Sequence, residues 1–158
     1  MKTILFLISF FIVTLSANSQ ALDMVFPEEL LVNNSFNYQT SKSQIISAMG
    51  DPASVTTEYW EMDEEDVEKL NYPGAVFYLK NNTMESFCLT GPEQSLKLNI
   101  TVLKTGNNIS SLQSAFPASY NNRGRDGLSI NIAPGDYKFI LVYFDSGNII
   151  TKIEQRYY

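Results

Sequence analysis

Residues 75–89 read AVFYLKNNTMESFCL, and this stretch predicts a β-hairpin. Ala75 to Leu79 and Met84 to Leu89 are rich in the aromatic and branched side chains that favour strands. The polar run from Lys80 to Thr83 separates them and is typical of a hairpin connection. The stretch therefore favours an antiparallel sheet.

A short helix is predicted upstream of the hairpin, over residues 42–49. Ser41 is a suitable N-cap, and Ile45 and Met49 fall on one face of the helix. Gly50 follows the last residue, at the position where a left-handed conformation commonly ends a helix.

Strands are also predicted from Val55 to Trp60 and from Leu96 to Leu103. The second of these alternates apolar residues on one face, namely Leu96, Leu98, Ile100 and Val102. The acidic stretch from Glu61 to Leu70 is expected to be a loop or a single helical turn.

The second half of the chain repeats this order. A helix is predicted over residues 109–116 and a strand from Leu128 to Ile132. A hairpin from Tyr137 to Gln155 follows, with Asp145-Ser146-Gly147 as its turn. Since helices and hairpins recur at nearly the same offset, we expect an α+β fold. It would consist of two tandem units, each a short helix plus an antiparallel sheet.

The expected repeats span about 36–103 and 104–158, within a single domain covering 20–158. Residues 41–52, SKSQIISAMGDP, resemble the start of the SmpA/OmlA (BamE) outer-membrane assembly family, where a capped helix ends in Gly-x-Pro before a three-stranded sheet. The tandem arrangement is similar to the β-lactamase inhibitory protein fold, which joins two such units. This resemblance implies an architecture and no functional residue. The assembly family is lipid-anchored and the inhibitory protein has disulfides, and this chain lacks the cysteines for either.

The first 19 residues predict a cleavable signal peptide. Lys2 precedes an apolar stretch from Ile4 to Leu15, and Ala17 and Ser19 are small residues before a cut at Gln20. The alternative, a membrane anchor, requires about 20 apolar residues, more than this stretch has. We therefore expect an exported protein, periplasmic or extracellular, with no transmembrane segment after cleavage.

The composition excludes several functions. A net charge of −6 argues against nucleic acid and anionic lipid as partners. Cys88 is the only cysteine, so no intrachain disulfide is expected. Its flanks predict a buried thiol on a strand, and the alternative is a reactive or intermolecular thiol. The chain has no histidine, which removes the usual activating base and the commonest metal ligand.

We expect no enzymatic activity, no cofactor and no metal. Neither a Gly-rich phosphate loop nor a Ser-x-x-Lys motif occurs. Glu58, Glu61 and Asp136 are candidates for carboxylate catalysis by residue type alone. Calcium is an alternative ligand for the acidic stretch, although the spacing of an EF-hand is absent.

The candidate site is the segment YWEMDEEDVE, residues 59–68, with six acidic residues and the only tryptophan. One interpretation is a solvated segment that supplies solubility, with Trp60 buried in the core of the sheet. The other is a docking site for a basic partner, with Tyr59 and Trp60 as anchors and a charged rim at Glu61, Asp63, Glu64 and Glu65. A tyrosine-lined sheet face is also predicted, from Tyr59, Tyr78, Tyr137 and Tyr143.

These features favour a non-catalytic module that binds another envelope or extracellular protein. The alternative is a protein that binds a small ligand: a peptide, a glycan or a lipid.

Overall fold

A computed structural model describes residues 22–61, 63–134 and 138–157. The expected signal peptide lies outside the described residues. The described strands are β1 (Met24–Val25), β2 (Leu30–Val32), β3 (Ser54–Trp60), β4 (Glu65–Tyr72), β5 (Ala75–Lys80), β6 (Thr83–Leu89), β7 (Leu96–Leu98), β8 (Thr101–Leu103), β9 (Gly127–Ile132), β10 (Lys138–Phe144) and β11 (Ile150–Tyr157). The described α-helices are α1 (Lys42–Met49), α2 (Leu112–Ala115) and α3 (Pro117–Asn121), and 3-10 turns occur at Pro27–Glu29 and Ile109–Ser111.

Eight strands form one sheet in the order β1-β9-β10-β11-β6-β5-β4-β3. Strand β1 pairs with β9 in parallel, and the other neighbours are antiparallel. A second sheet has the order β2-β7-β8. The main sheet is therefore mixed, and it is the dominant element of the fold.

The predicted fold of two tandem helix-plus-sheet units is wrong. Strands from both halves of the chain belong to one sheet, joined where β11 pairs with β6. This junction aligns Ile153 with Leu89 and Glu154 with Cys88, residues far apart in sequence. Local periodicity contains no information about such a pairing, and it therefore suggested two separate sheets.

Helix α1 has the predicted bounds. The Ser41 hydroxyl accepts from the N–H of Gln44, and the Gln44 side chain accepts from the N–H of Ser41, which completes a capping box. Gly50 ends the helix at φ +79°, a conformation that glycine adopts without steric cost.

The helix predicted over residues 109–116 is divided into the second 3-10 turn, α2 and α3. Pro117 begins α3 and does not merely stop the preceding helix. A proline is well suited to the first helical position, because that residue has no intrahelical use for its N–H.

Two strand predictions also need correction. The expected strand from Leu96 to Leu103 is split by a turn at Asn99, whose φ is +54°, and the following Ile100 is 88% exposed. Asparagine tolerates this left-handed conformation and so permits a tight reversal. The expected acidic loop is largely strand β4, which pairs along the whole of β3.

One face of the main sheet packs into a single hydrophobic core. Phe77, Phe87 and Ile153 of the sheet are fully buried there, together with Ile45 of α1 and Leu112 of α2. The residues that alternate with them point to the opposite face. We call this opposite face the open face.

Candidate functional site

A pocket of about 540 Å³ lies on the open face of the main sheet, bordered by residues of β3, β5, β6 and β11. The strand register explains how these residues meet. Tyr78 pairs with Ser86, and Cys88 pairs with Val76 on one side and Glu154 on the other. Directly paired residues share a face of a sheet, so these side chains cover one continuous surface.

An aromatic pair forms one side of the pocket. The ring centroids of Trp60 and Tyr78 lie 5.8 Å apart at an interplanar angle of 44°. The Nζ atom of Lys69 lies 5.4 Å from the centroid of Tyr78. Burial raises the pKa of the Tyr78 hydroxyl, so this group stays protonated and can donate a hydrogen bond.

Glu154 forms the polar part of the pocket and is buried. Its carboxylate accepts from the Tyr143 hydroxyl at 2.7 Å, and it pairs with Lys152 Nζ at 3.1 Å and Arg156 Nε at 2.8 Å. Three donors compensate the burial of this charge. Glu154 is therefore suited to a structural role, and it holds Arg156 at the edge of the pocket.

Cys88 lies beside Glu154 and is partly buried. Burial raises the pKa of its thiol, and the nearby Glu154 carboxylate raises it further. A thiol is nucleophilic only as the thiolate. The surroundings of Cys88 therefore disfavour nucleophilic chemistry.

The rim of the pocket is acidic. Glu61 and Asp63 are exposed and border it. Asp63 Oδ2 lies 3.7 Å from Lys80 Nζ, and Glu65 pairs with the same lysine. Within the part of the chain that the structure describes, Glu61 makes no ion pair. One lysine thus faces two carboxylates, and Glu61 adds a further negative charge.

The structure brings part of the predicted site together. Tyr59, Trp60, Glu61 and Asp63 border the pocket, and Tyr59 is 58% exposed. Glu64 is exposed at φ +53° in the turn between β3 and β4, and neither it nor Glu65 borders the pocket.

The other predicted candidates are dispersed. Glu58 borders the pocket, but its carboxylate is held 2.7 Å from Lys69 Nζ. Tyr143 lies on the open face beside Lys152, while Tyr137 and Asp136 lie outside the described residues. Sequence reasoning missed Glu154 and Arg156, because only the pairing of β6 with β11 brings them to this surface.

No group of three or more metal-ligating side chains suited to a metal ion occurs among the described residues. The same part of the chain contains no helix with the length and hydropathy needed to cross a bilayer.

Comparison with known proteins assigns no family. No family model and no curated protein matches the chain. The fold is similar to part of a solved extracellular protein containing a SCP domain from Bacillus anthracis str. Ames, with 10% sequence identity and a TM-score of 0.49. The match covers 75% of this chain and 43% of that chain, so this chain spans less than half of that protein.

Proposed function

We propose that this protein is an exported, non-catalytic module that binds a segment of another envelope or extracellular protein in the open-face pocket. The observation that supports this proposal is the contact of Trp60 with Tyr78 inside a pocket with an acidic rim. Tryptophan and tyrosine combine a large apolar surface with a polar atom, and they dominate the energetics of protein interfaces.

The acidic rim favours a partner segment that carries lysine or arginine. Glu61 on the rim and Glu64 in the adjacent turn between β3 and β4 make no ion pair among the described residues, and Lys80 faces both Asp63 and Glu65. Such a surface attracts a basic segment at long range and accelerates association. The aromatic pair would then hold an apolar side chain next to the basic one.

The absence of catalysis is part of the proposal. Its support is the state of the pocket's reactive groups: Cys88 is a thiol of raised pKa, and the carboxylates of Glu58 and Glu154 are held by cationic side chains. A general base needs access to the proton that it removes.

A small ligand is the second candidate. The volume of about 540 Å³ falls within the range of roughly 300–1,000 Å³ typical of small-molecule pockets. A peptide or glycan would fit the mixture of aromatic rings and hydrogen-bonding groups better than a lipid would, since Arg156 and Glu154 border the pocket.

Export is tested by the N-terminus of the native protein. The sequence of residues 1–19 leads us to expect cleavage before Gln20, because the signal peptidase requires small residues at the two sites that Ala17 and Ser19 occupy. Mass spectrometry of protein recovered from cells and from the medium would locate the cut. A mature protein that retains Met1 would contradict export by this route.

Binding is tested by panning a random-peptide display library against the purified chain. We expect enriched peptides to contain lysine or arginine beside an apolar residue. Trp60→Ala should weaken their binding about tenfold or more, measured by fluorescence anisotropy, because it removes the central apolar contact. Ile100→Ala is the matched control, since Ile100 is 88% exposed in the turn between β7 and β8, outside the pocket.

Peptides that bind wild type and Trp60→Ala equally would contradict the site. A glycan array whose hits vanish with Trp60→Ala, in the absence of any peptide hit, would establish the small-ligand alternative.

The role of charge is tested by the double variant Glu61→Gln and Glu64→Gln. Neutralising these unpaired carboxylates should slow association with a basic peptide and flatten the salt dependence of that rate, with little change in stability. Stopped-flow fluorescence gives the rates. Glu28→Gln with Glu93→Gln is the control, since both residues are exposed and their loss changes the net charge equally. An equal effect of both double variants on the association rate would show that the rim has no specific role in binding.

A further inference from the structure

We propose that two copies of this chain pair through strand β3, as antiparallel neighbours related by a two-fold axis at Thr57. Strand β3 is one edge of the main sheet, and the described part of the chain places no strand beyond it. The opposite edge, β1, has two residues, whereas β3 has seven. An unpaired edge strand offers a row of N–H and C=O groups to another strand.

Strand β3 lacks the features that usually protect an edge. Its sequence, SVTTEYW, contains no lysine and no proline, and six of its seven residues are exposed. The one charged residue is Glu58, whose carboxylate already pairs with Lys69 of β4 at 2.7 Å. The branched and aromatic residues of β3 favour pairing with another strand.

The side chains of β3 select a second copy as the partner. An axis at Thr57 produces two equivalent pairs, in each of which Val55 of one copy lies opposite Tyr59 of the other. Val55 is 48% exposed and Tyr59 is 58% exposed in the single chain. Pairing of a branched with an aromatic residue stabilises a sheet, and here it covers both exposed side chains. Glu58 then lies opposite Thr56, so no like charges are paired within the strand.

Neighbouring registers are less favourable. In a continuous sheet, paired residues lie on the same face, so the two-fold axis must pass through a residue of β3. The neighbouring registers therefore place the axis one residue earlier or one residue later. An axis at Glu58 places two carboxylates directly opposite, which is destabilising. An axis at Thr56 places Tyr59 opposite Ala53 and leaves Val55 opposite Thr57, which loses the apolar pairs.

The proposed dimer has a consequence for the pocket. The axis is perpendicular to the sheet, so both open faces point in the same direction. Trp60 and Glu58 lie on the open face, and the pairing places Ser54 and Thr56 of the second copy beside them. The two pockets would thus form one bivalent surface, which raises avidity for a partner with repeated segments.

The net charge of −6 on each chain opposes association. Dimerisation should therefore strengthen when salt screens this repulsion, which is opposite to the salt dependence expected for a basic partner at the rim.

Two lysine variants test the pairing by sedimentation equilibrium up to about 1 mM protein. Thr57→Lys places two lysines opposite each other and should weaken dimerisation roughly fivefold or more. Ser54→Lys adds the same charge to the same strand, but it lies opposite the neutral Trp60 of the second copy and the neutral Asn71 of β4, and it should leave the dimer about as tight. Monomer alone over this range, or equal effects of both variants, would overturn the proposal.

Disulfide trapping tests the register, in a Cys88→Ala background that leaves one thiol per chain. Thr57→Cys should form a covalent dimer under mild oxidation, because the two residues are directly opposite. Thr56→Cys should do so much more slowly. Faster trapping at residue 56, or none at either position, would overturn the axis at Thr57. Neither result depends on the pocket having a ligand, so the proposed function is tested separately.

Discussion

Cys88 lies on the open face, opposite Val76 on one side and Glu154 on the other. Both its partial burial and the adjacent carboxylate disfavour the thiolate, so they raise the pKa of the thiol. The strand-like flanks of Cys88 predicted a buried thiol, and the structure shows a thiol on a strand that is only partly buried. The electrostatic contribution of Glu154 could not be predicted, since it depends on the pairing of β6 with β11.

At the scale of this residue we predict slow alkylation. A raised pKa means a smaller thiolate fraction at a given pH, so iodoacetamide should modify Cys88 more slowly than N-acetylcysteine at pH 8. The rate should continue to rise at pH values where the free thiol has reached its plateau. Glu154→Gln should accelerate the reaction only modestly, because burial is the larger cause of the shift. Alkylation as fast as that of the free thiol would contradict this account of the site.

Trp60 shows how far residue-level reasoning extends. The sequence left two possibilities for its side chain, an exposed anchor or a core residue. In the structure the burial of Trp60 lies between these two possibilities: its side chain is half-buried against Tyr78 on the open face. The two residues belong to strands separated by β4 in the sheet, so no local pattern indicates their contact.

At the scale of elements, the sequence predicted a helix end or a turn correctly where side-chain hydrogen bonds or a glycine define it. The capping box at Ser41 and the glycine at residue 50 define α1 in the sequence as they do in the structure. The turn at Asp145 is equally local, since its carboxylate accepts from the N–H groups of Gly147 and Ile149. A single asparagine, Asn99, indicates a turn less strongly, and the turn between β7 and β8 was not predicted.

The helices allow an element-scale prediction. Phe116, at the end of α2, is 6% exposed and belongs to the core, whereas Met49 of α1 is only partly buried against it. Phe116→Ala should therefore cost about 3–5 kcal/mol, and Met49→Ala about 2 kcal/mol, measured by urea denaturation. Gln113→Ala, at an exposed position of α2, should stay within about 0.5 kcal/mol. Equal losses for Phe116 and Met49 would contradict the difference in burial on which this prediction rests.

At the scale of the whole molecule, strands β3 to β6 of the main sheet meet strands β9 to β11 only where β6 pairs with β11. That pairing aligns two residues of each strand, and the Ser86 hydroxyl adds a bond of 2.9 Å to the carbonyl oxygen of Gln155. The junction is small, but the core beneath it is shared: Leu89 and Ile153 are fully buried in the same cluster as Ile45 and Leu112. Local runs of branched and aromatic residues were sufficient to predict many of the strands, but they could not show that the strands form one sheet.

A shared core predicts a single cooperative unfolding transition. Calorimetry should give one peak, with a calorimetric enthalpy equal to the van't Hoff enthalpy. Leu89→Ala removes buried contacts at the junction, and it should cost about 3 kcal/mol while keeping one transition. For a chain of this size that loss lowers the melting temperature by roughly 6–12 °C. Leu141→Ala is the control, since Leu141 is only half-buried on the open face. Two peaks in the wild type, or a Leu89→Ala variant in which only one of two peaks moves, would mean that the halves of the sheet fold independently despite their common core.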